Sequence, residues 1–297
     1  MFSFLGIGYQ VAVAMTALYG LLGLTSLSVR IATGATRGGM LSAQVNAWWR
    51  IFPFISLALL IYPLGPTMLA CLIWILAIAE LAPYQTASKG RYWAASLAIC
   101  SCALALQKFV PYLVSTIACG AIVLQYWRFA RQPDHDRLVG LLLLTTVGAI
   151  VVLPGFADLP FAASTNLAWL FYLFVLTALN DIGQFVSGKL FGRQKIAPHI
   201  SPNKTWQGLL GGVVVSQCVA LVLGTYFALA SPLRMAMYAL LLSVGGFVGD
   251  LMFSAAKRHI GIKDFSQLIP GHGGILDRVD SLVVTAPLLY WLIRTFE

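Results

Sequence analysis

The chain has 297 residues, of which 59% are hydrophobic and 10% are charged, and its formal net charge is +9. Soluble domains average roughly 25% charged residues, so this composition at this length excludes a single soluble core. Apolar stretches of about 15 to 22 residues between short polar loops are typical of a polytopic helical membrane protein, whereas a membrane β-barrel would show alternating strands. The positive charge is therefore attributed to membrane topology and to contact with anionic lipid headgroups. No nucleic-acid partner is expected.

Ten apolar stretches are predicted to cross the membrane as helices. No basic segment precedes the first one, which favours a retained span over a cleaved signal peptide. Prolines 63 and 66 predict a tight turn between the second and third stretches. The predicted spans are about 8–29, 50–63, 66–82, 92–107, 109–127, 138–155, 166–182, 207–230, 235–253 and 281–296. The predicted fold class is an all-α polytopic membrane protein with about ten transmembrane helices.

Basic residues are distributed unevenly over the predicted loops. All of the 19 basic residues except Lys108, Arg234 and Arg294 follow odd-numbered spans. The positive-inside rule places these loops in the cytoplasm, so we expect a multi-pass protein of the inner (cytoplasmic) membrane with both termini outside. Glu80 ends the third span on the cytoplasmic side, where it could reach water or a site, and a structural role is favoured.

A first polar block, Ser201 to Gly208, lies at the start of the eighth span and has the sequence Ser-Pro-Asn-Lys-Thr-Trp-Gln-Gly. One interpretation is a basic connector that ends in a helix cap. The other is a phosphate-gripping loop, because Lys204 and Thr205 would stand together at a helix N-terminus. The second interpretation is favoured, since a plain connector does not require Asn, Lys and Thr at one helix start.

A second polar block, Gly249 to Ser281, contains four of the ten acidic residues. Three of its carboxylates, and one further upstream, lie at the ends of apolar spans, where an unpaired charge is costly. Asp277 and Asp280 are three residues apart and share a face if the last helix begins near them. Carboxylates gathered at one membrane edge suit Mg²⁺, which prefers oxygen ligands and bridges phosphates. The four carboxylates are Asp181, Asp250, Asp277 and Asp280.

Basic residues and a glycine-rich loop lie among these carboxylates. Residues 270–274 read Pro-Gly-His-Gly-Gly before a predicted helix start, where backbone N–H groups favour anions. Cations nearby would form charge-assisted hydrogen bonds to phosphate oxygens. Ion pairing between the cations and the carboxylates is an equal alternative to a metal site. No G-x-x-x-x-G-K-[ST] motif is present, which excludes a Walker-type NTPase. The cations are Lys257, Arg258, Lys263 and Arg278.

At these residues the chain resembles the phosphatidate cytidylyltransferase (CDP-diacylglycerol synthase) family. The second block follows the family pattern S-x-x-K-R-x(4)-K-D-x(5)-P-G-H-G-G-x-x-D-R-x-D, and residues 201–208 follow S-P-x-K-T-x-[EQ]-G. Asp181 stands where the family has an aspartate at a membrane edge. The matching positions in the second block are Ser254, Lys257, Arg258, Lys263, Asp264, Pro270, Gly271, His272, Gly273, Gly274, Asp277, Arg278 and Asp280.

The resemblance implies a nucleotidyltransferase of phospholipid biosynthesis that converts CTP and phosphatidate into CDP-diacylglycerol and pyrophosphate, with Mg²⁺ as cofactor. The oligomeric state stays open, with a homodimer as one option. The implied catalytic residues are Asp250, Lys257, Arg258, Asp277, Arg278 and Asp280. The implied substrate-binding residues are Ser201, Lys204, Thr205, Lys263, His272, Gly273 and Gly274. The implied metal ligands are Asp250, Asp277 and Asp280, with Asp181 as a candidate outer member.

The same resemblance divides the chain into three regions. The early arginine of the family best matches Arg50, so residues 1–45 are expected to be an extra N-terminal transmembrane helix and a basic loop. Residues 46–180 form the membrane-spanning helical frame. Residues 181–297 form the catalytic region, with two cytoplasmic motif loops at the ends of the C-terminal helices.

Two departures from the family pattern leave other functions open. Residues 180–185 are Asn-Asp-Ile-Gly-Gln-Phe where the family has A-D-x-x-A-Y, and Phe253 stands where the family commonly has Glu. One alternative is a cytidylyltransferase for another lipid phosphate. A second is a non-enzymatic membrane transporter or scaffold, although a transporter would place charges near mid-bilayer.

Overall fold

A computed structural model of the chain describes residues 8–33, 40–111, 135–268 and 273–297, with five further positions from 113 to 124. Within these residues the chain forms nine long helices and one small hairpin. The helices are α1 (Tyr9–Thr33), α2 (Met40–Leu60), α3 (Leu64–Leu81), α4 (Lys89–Phe109), α5 (His135–Ile150), α6 (Ala163–Phe191), α7 (Trp206–Phe227), α8 (Pro232–Ile260) and α9 (Leu282–Phe296). Single helical turns occupy Ala82–Tyr84, Val152–Gly155, Phe156–Asp158 and Leu276–Val279, and the strands are β1 (Lys195–Ala197) and β2 (Ser201–Thr205).

Six helical segments of the described chain are long and apolar enough to cross a membrane. They confirm a polytopic helical membrane protein, and two shorter apolar helices accompany them, Val45–Leu60 and Leu282–Phe296. The predicted span at 109–127 lies largely outside the described residues, so the count of ten stays a prediction. The six segments are Tyr9–Ile31, Leu64–Tyr84, Asp136–Asp158, Ala163–Phe191, Trp206–Phe227 and Pro232–Ile260.

Several helices run well past the ends of the apolar stretches that predicted them. Helix α2 begins at Met40 rather than near residue 50, α6 continues to Phe191 rather than 182, and α8 continues to Ile260 rather than 253. The hydropathy pattern marks only the apolar part of a helix, whereas backbone hydrogen bonding continues until a residue stops it. In α8 that residue is Gly261, whose left-handed backbone (φ +80°) forms the C-cap. Asp181 and Asp250 therefore stand inside helices and not at their ends.

The all-α prediction misses a two-stranded antiparallel sheet between α6 and α7. Lys195 pairs with Thr205 and Ala197 with Ser201. The two strands have three and five residues, and they lack the alternation of apolar and polar residues by which a strand is recognised in a sequence. The hairpin lies in the polar connection between two apolar helices and brings Lys204 to the edge of the bundle.

Helix α6 is the central element because it packs against both α7 and α8. Close approach to α7 requires glycine, since a Cβ atom on Gly212 would lie 2.7 Å from Asn180 Oδ1. Asn180 Oδ1 accepts hydrogen bonds from Ser243 Oγ (2.6 Å) and Ser216 Oγ (3.3 Å), which belong to α8 and α7. These contacts fix the turn of α6 that carries Asp181.

Candidate active site

Three carboxylates and one lysine meet where α6, β2, α8 and the segment before α9 come together. We call Asp181, Lys204, Asp250 and Asp280 the acidic cluster. Lys204 Nζ forms an ion pair with Asp250 Oδ2, and both Asp181 and Asp280 interact electrostatically with Asp250. The cluster therefore joins residues from both polar blocks with the aspartate of α6.

Lys204 holds the cluster together from the side of the hairpin. Its Nζ donates to Gln184 Oε1 (3.1 Å) and lies 5.3 Å from the centre of the Phe247 ring. Burial alone would lower the pKa of Lys204, but the Asp250 carboxylate and its neighbours outweigh that effect and raise it. Lys204 is therefore a permanent cation among three acids, and Gln184, at a position where the family has Ala, gives it an additional acceptor.

Asp280 is the most enclosed acid of the cluster. Burial raises its pKa well above the usual range, and the carboxylates of Asp250 and Asp181 raise it further, against the opposing effect of Arg278. Asp280 Oδ1 accepts from the backbone N–H of Ser281 (2.8 Å), and Ser281 Oγ donates to Asp181 Oδ1 (3.1 Å). Three acids with one lysine leave an excess of negative charge, which favours a further cation at this place.

The donor chemistry of the acidic cluster fits a hard divalent cation, because carboxylate oxygens are the ligands that Mg²⁺ prefers. Among the residues that the structure describes, no three His, Cys, Asp or Glu side chains surround one point closely enough to form a complete metal site. Mg²⁺ is commonly held by one or two carboxylates together with substrate phosphates. The acidic cluster matches this arrangement, in which the protein supplies some of the ligands and substrate phosphates supply others.

The other residues of the first polar block support Lys204. Thr205 is the N-cap of α7, since its Oγ1 accepts from Gly208 N (3.1 Å). Gln207 Oε1 accepts from the backbone N–H groups of Arg193 (3.0 Å) and Gln194 (3.3 Å). The helix-cap interpretation therefore describes Thr205, Ser201 forms part of the β2 ladder, and the phosphate-gripping role of Lys204 stays a prediction.

Asp277 lies apart from the acidic cluster and anchors the loop that precedes it. Its Oδ1 accepts from Lys257 Nζ (2.6 Å), and its Oδ2 accepts from the backbone N–H groups of Gly274 (2.9 Å) and Phe265 (3.1 Å). Gly273 is required beside it, because its φ of +79° is left-handed and a Cβ atom would lie 2.6 Å from Asp277 Oδ2. Both oxygens of Asp277 are thus engaged within the protein.

Glu80, for which the sequence favours a structural role, holds the same loop from the other side. Its Oε1 accepts from Ile275 N (2.7 Å) and Ser266 Oγ (2.6 Å), and its Oε2 accepts from Leu276 N (3.0 Å). A carboxylate is favourable at these N–H groups because they begin the helical turn Leu276–Val279. The only sequence signal for this role is that Glu80 is a rare acid at the end of an apolar span.

Replacing Glu80 with glutamine is expected to lower the free energy of unfolding by about 2 kcal/mol, because one buried N–H group loses its acceptor. The measurement is thermal unfolding of the purified protein in detergent. The matched control is Asp158→Asn, because Asp158 is exposed and such surface substitutions usually change stability by less than about 0.5 kcal/mol. Equal losses in the two variants would contradict the anchoring role.

Phe253 fills the core beneath this loop. Its side chain is fully buried, and its ring meets that of Phe265 edge-on with centroids 6.3 Å apart. Lys257 Nζ lies 5.9 Å from the centre of the same Phe265 ring. The departure from the family's Glu therefore supplies an apolar support for the Lys257–Asp277 pair.

The remaining predicted residues lie around the loop. Arg258 donates to two backbone carbonyls, from Nε to Ile200 O (3.3 Å) and from Nη1 to Ile262 O (3.2 Å), so it ties the hairpin connection to the end of α8. Lys263 and Arg278 are exposed and belong to the wall of a cavity. His272 lies outside the described residues.

This cavity has a volume of about 1280 Å³ and lies between α1, α2 and α6. Most of its wall is apolar and aromatic, while one end is lined by charged residues. Asp181 is a member of both the cavity wall and the acidic cluster. The charged lining residues are Asp181, Lys189, Lys263, Asp264 and Arg278. The site therefore combines a charged end with an apolar space.

Comparison with known proteins supports the family that the motif residues indicate. A family model described as the cytidylyltransferase family matches residues 42–296. A phosphatidate cytidylyltransferase of Bacillus subtilis (strain 168) is 44% identical over 137 residues, which cover 44% of this chain and 49% of that protein. A phosphatidate cytidylyltransferase of Staphylococcus saprophyticus is 38% identical over 181 residues, which cover 60% of this chain and 67% of that protein.

A protein of Escherichia coli (strain K12) named Uncharacterized protein YnbB is 46% identical over 123 residues, which cover 41% of each chain. The matched segments thus span about half or less of the Bacillus and Escherichia relatives. Helix α1 lies outside the residues that the family model matches.

Proposed function

The chain belongs to the cytidylyltransferase family, and from that premise we propose that it transfers the cytidylyl group of CTP to phosphatidate. The products are CDP-diacylglycerol and pyrophosphate, and the protein is thus a nucleotidyltransferase of phospholipid biosynthesis. The observation that carries this proposal is the acidic cluster, in which Lys204 pairs with Asp250 and Asp181 also lines the charged end of an apolar cavity. Two relatives, 44% and 38% identical to the chain over the matched residues, are named phosphatidate cytidylyltransferase.

In the proposed step an oxygen of the lipid phosphate attacks the α-phosphorus of CTP. A new P–O bond forms to the lipid phosphate, and the bond between the α-phosphorus and the bridging oxygen of the β-phosphate breaks. The electron pair of that bond leaves with pyrophosphate. A phosphate monoester is already ionised at neutral pH, since its second pKa is about 6. The chain therefore has no need of a strong general base, and its task is to position two polyanions.

The residues around the cluster fit this task. Lys204 is a fixed cation at the edge of the bundle, and Arg278 and Lys263 are exposed at the charged end of the cavity. We assign phosphate contacts to these three side chains, because ammonium and guanidinium groups form charge-assisted hydrogen bonds to phosphate oxygens. Lys257 and Asp277 keep the glycine-rich loop in place, and Arg258 keeps the hairpin in place.

Mg²⁺ would be held by Asp250 and Asp280, with Asp181 beside them. When bound with the nucleotide it supplies positive charge that stabilises the leaving pyrophosphate. Asp277 is assigned to the loop because it accepts from two backbone N–H groups there and pairs with Lys257, which is not a member of the acidic cluster. The charge distribution of the sequence supports the inner membrane as the location, with the acidic cluster on the cytoplasmic side, where CTP is available.

The test is an assay of purified protein in detergent with labelled CTP, Mg²⁺ and a panel of lipids. Phosphatidate is expected to yield labelled CDP-lipid and one pyrophosphate per turnover, whereas diacylglycerol, which lacks the phosphate, is expected to yield neither. Removal of Mg²⁺ with EDTA is expected to stop the reaction. Lysophosphatidate and a polyprenyl phosphate test the alternative of another lipid phosphate. Absence of pyrophosphate release with every lipid phosphate, from folded protein, would overturn the proposal.

A further inference from the structure

Helix α1 forms one wall of the cavity although it precedes the residues shared with the family. The matched residues are 42–296, whereas α1 comprises Tyr9–Thr33. Its contribution to the wall consists of Met15, Leu18, Leu21, Leu22 and Thr25. Residues 15, 18, 22 and 25 follow the three- and four-residue spacing of one helix face. One whole face of α1 is thus directed at the cavity.

Polar and aromatic contacts hold α1 on α2. Tyr19 Oη donates to Ser56 Oγ (3.0 Å), and Trp49 Nε1 donates to Ser26 Oγ (2.8 Å). The ring of Tyr19 also meets that of Phe52 edge-on, with centroids 4.5 Å apart. Such contacts between apolar helices fix their relative rotation. The cavity face of α1 therefore has a defined orientation.

The charged end of the cavity identifies the chemistry of its occupant. Lys189, Lys263 and Arg278 face two carboxylates there, Asp181 and Asp264, so the lining carries one excess positive charge. Arg278 also interacts with Asp181 and Asp280 of the acidic cluster. An occupant with an anionic head and an apolar body matches this distribution, with the head at Lys189, Lys263 and Arg278 and the body along α1.

The length of the α1 face matches one leaflet of a bilayer. The eleven residues from Met15 to Thr25 rise about 15 Å along the helix, and the hydrocarbon core of a bilayer is roughly 30 Å thick. An acyl chain that starts at the charged end would thus run beside Leu22 and Leu18 for most of its length. The size of these side chains would limit the space for the chain.

We propose that α1 is the element of this chain that selects the acyl chains of its lipid phosphate, with Leu18 and Leu22 as specificity-determining residues. The proposal rests on the proposed function, because it takes a lipid phosphate as the substrate. It adds that the acyl chains are selected by a helix that precedes the residues matched by the family model.

The first experiment compares Leu22→Trp with Leu24→Trp. Leu22 lies on the cavity wall, whereas Leu24 is 64% exposed and does not. Leu22→Trp is expected to lower kcat/KM for dioleoyl phosphatidate by tenfold or more, a range typical of a mismatch in an apolar pocket. Activity with dihexanoyl phosphatidate should fall less, because less of each short chain passes the obstruction. Leu24→Trp should leave both substrates unaffected.

A second variant keeps the test decisive if the tryptophan disturbs folding. Leu22→Ala enlarges the cavity and is expected to shift the preference toward longer or bulkier acyl chains. Unchanged acyl selectivity in Leu22→Ala, or the same selectivity in Leu22→Trp and Leu24→Trp, would overturn the proposal.

A binding measurement separates this proposal from the proposed reaction. Phosphatidate with a photoreactive diazirine in its acyl chain is expected to label residues 15–25, and unlabelled phosphatidate should compete while phosphatidylcholine should not. If no lipid phosphate supports turnover but this labelling persists, the proposed reaction fails and the acyl site stands. Equal competition by phosphatidylcholine would show bulk lipid in the cavity and would overturn the acyl site.

Discussion

Asp250→Asn is expected to lower the rate of CDP-lipid formation by about 10²- to 10³-fold, the usual loss when one electrostatic stabiliser of an active site is removed. Asparagine has the same shape and can still accept from Ser254 Oγ (3.2 Å in the present structure). It cannot neutralise Lys204, with which Asp250 forms its ion pair. It also cannot contribute a charged oxygen to Mg²⁺. The rate is measured with labelled CTP and phosphatidate at saturating Mg²⁺.

The matched control for this substitution is Asp158→Asn. Asp158 is exposed and precedes α6, whereas Asp181 lies 18 residues into that helix, roughly 27 Å along its axis. We expect this variant to retain wild-type turnover. Retention of more than a tenth of the activity in folded Asp250→Asn would remove Asp250 from the proposed site.

Asp277→Asn is expected to lose stability together with activity. Lys257 and Asp277 form a pair whose side chains are 11% and 3% exposed. Removing one partner of a buried pair costs about 3–5 kcal/mol, because the other charge is left without compensation. The resemblance to the family assigns Asp277 to metal, and that assignment predicts lost turnover in a fully stable protein. Thermal unfolding in detergent, measured beside turnover, distinguishes the two roles.

A double variant sharpens this test. Lys257→Met/Asp277→Asn removes the buried positive charge as well, so it should recover most of the stability that Asp277→Asn loses. If Asp277 anchors the loop, we expect the double variant to recover part of the turnover along with the stability. A stable Asp277→Asn protein without turnover would instead support a direct metal contact.

The location of the site could be predicted from the sequence because charge is rare in this chain. In an apolar helical protein each buried carboxylate needs a partner, so Asp181, Asp250 and Asp280 were recognisable one by one. That these aspartates lie together with Lys204 was harder to predict from the sequence. It depends on α6 and α8 continuing past their apolar parts to Phe191 and Ile260, and hydropathy does not mark where backbone hydrogen bonding stops.

The pairing of the charges was decided by the tertiary structure alone. Spacing placed Asp277 and Asp280 on one face, but a single helical turn at Leu276–Val279 directs Asp277 to Lys257 and leaves Asp280 with the acidic cluster. Similarly, Glu80 reaches Leu276 across 196 residues of chain. Neither contact follows from local spacing, because each depends on how distant helices pack.

The sequence by itself thus determined the helical membrane architecture, the region of the candidate site and the family. Each of these follows from composition or from residues close together in the chain. The tertiary structure decided which acids form the cluster, which residues only support it, and that α1 borders the apolar cavity. Those properties arise from contacts between separate helices, and such contacts are set by packing and by the orientation of each helix about its axis.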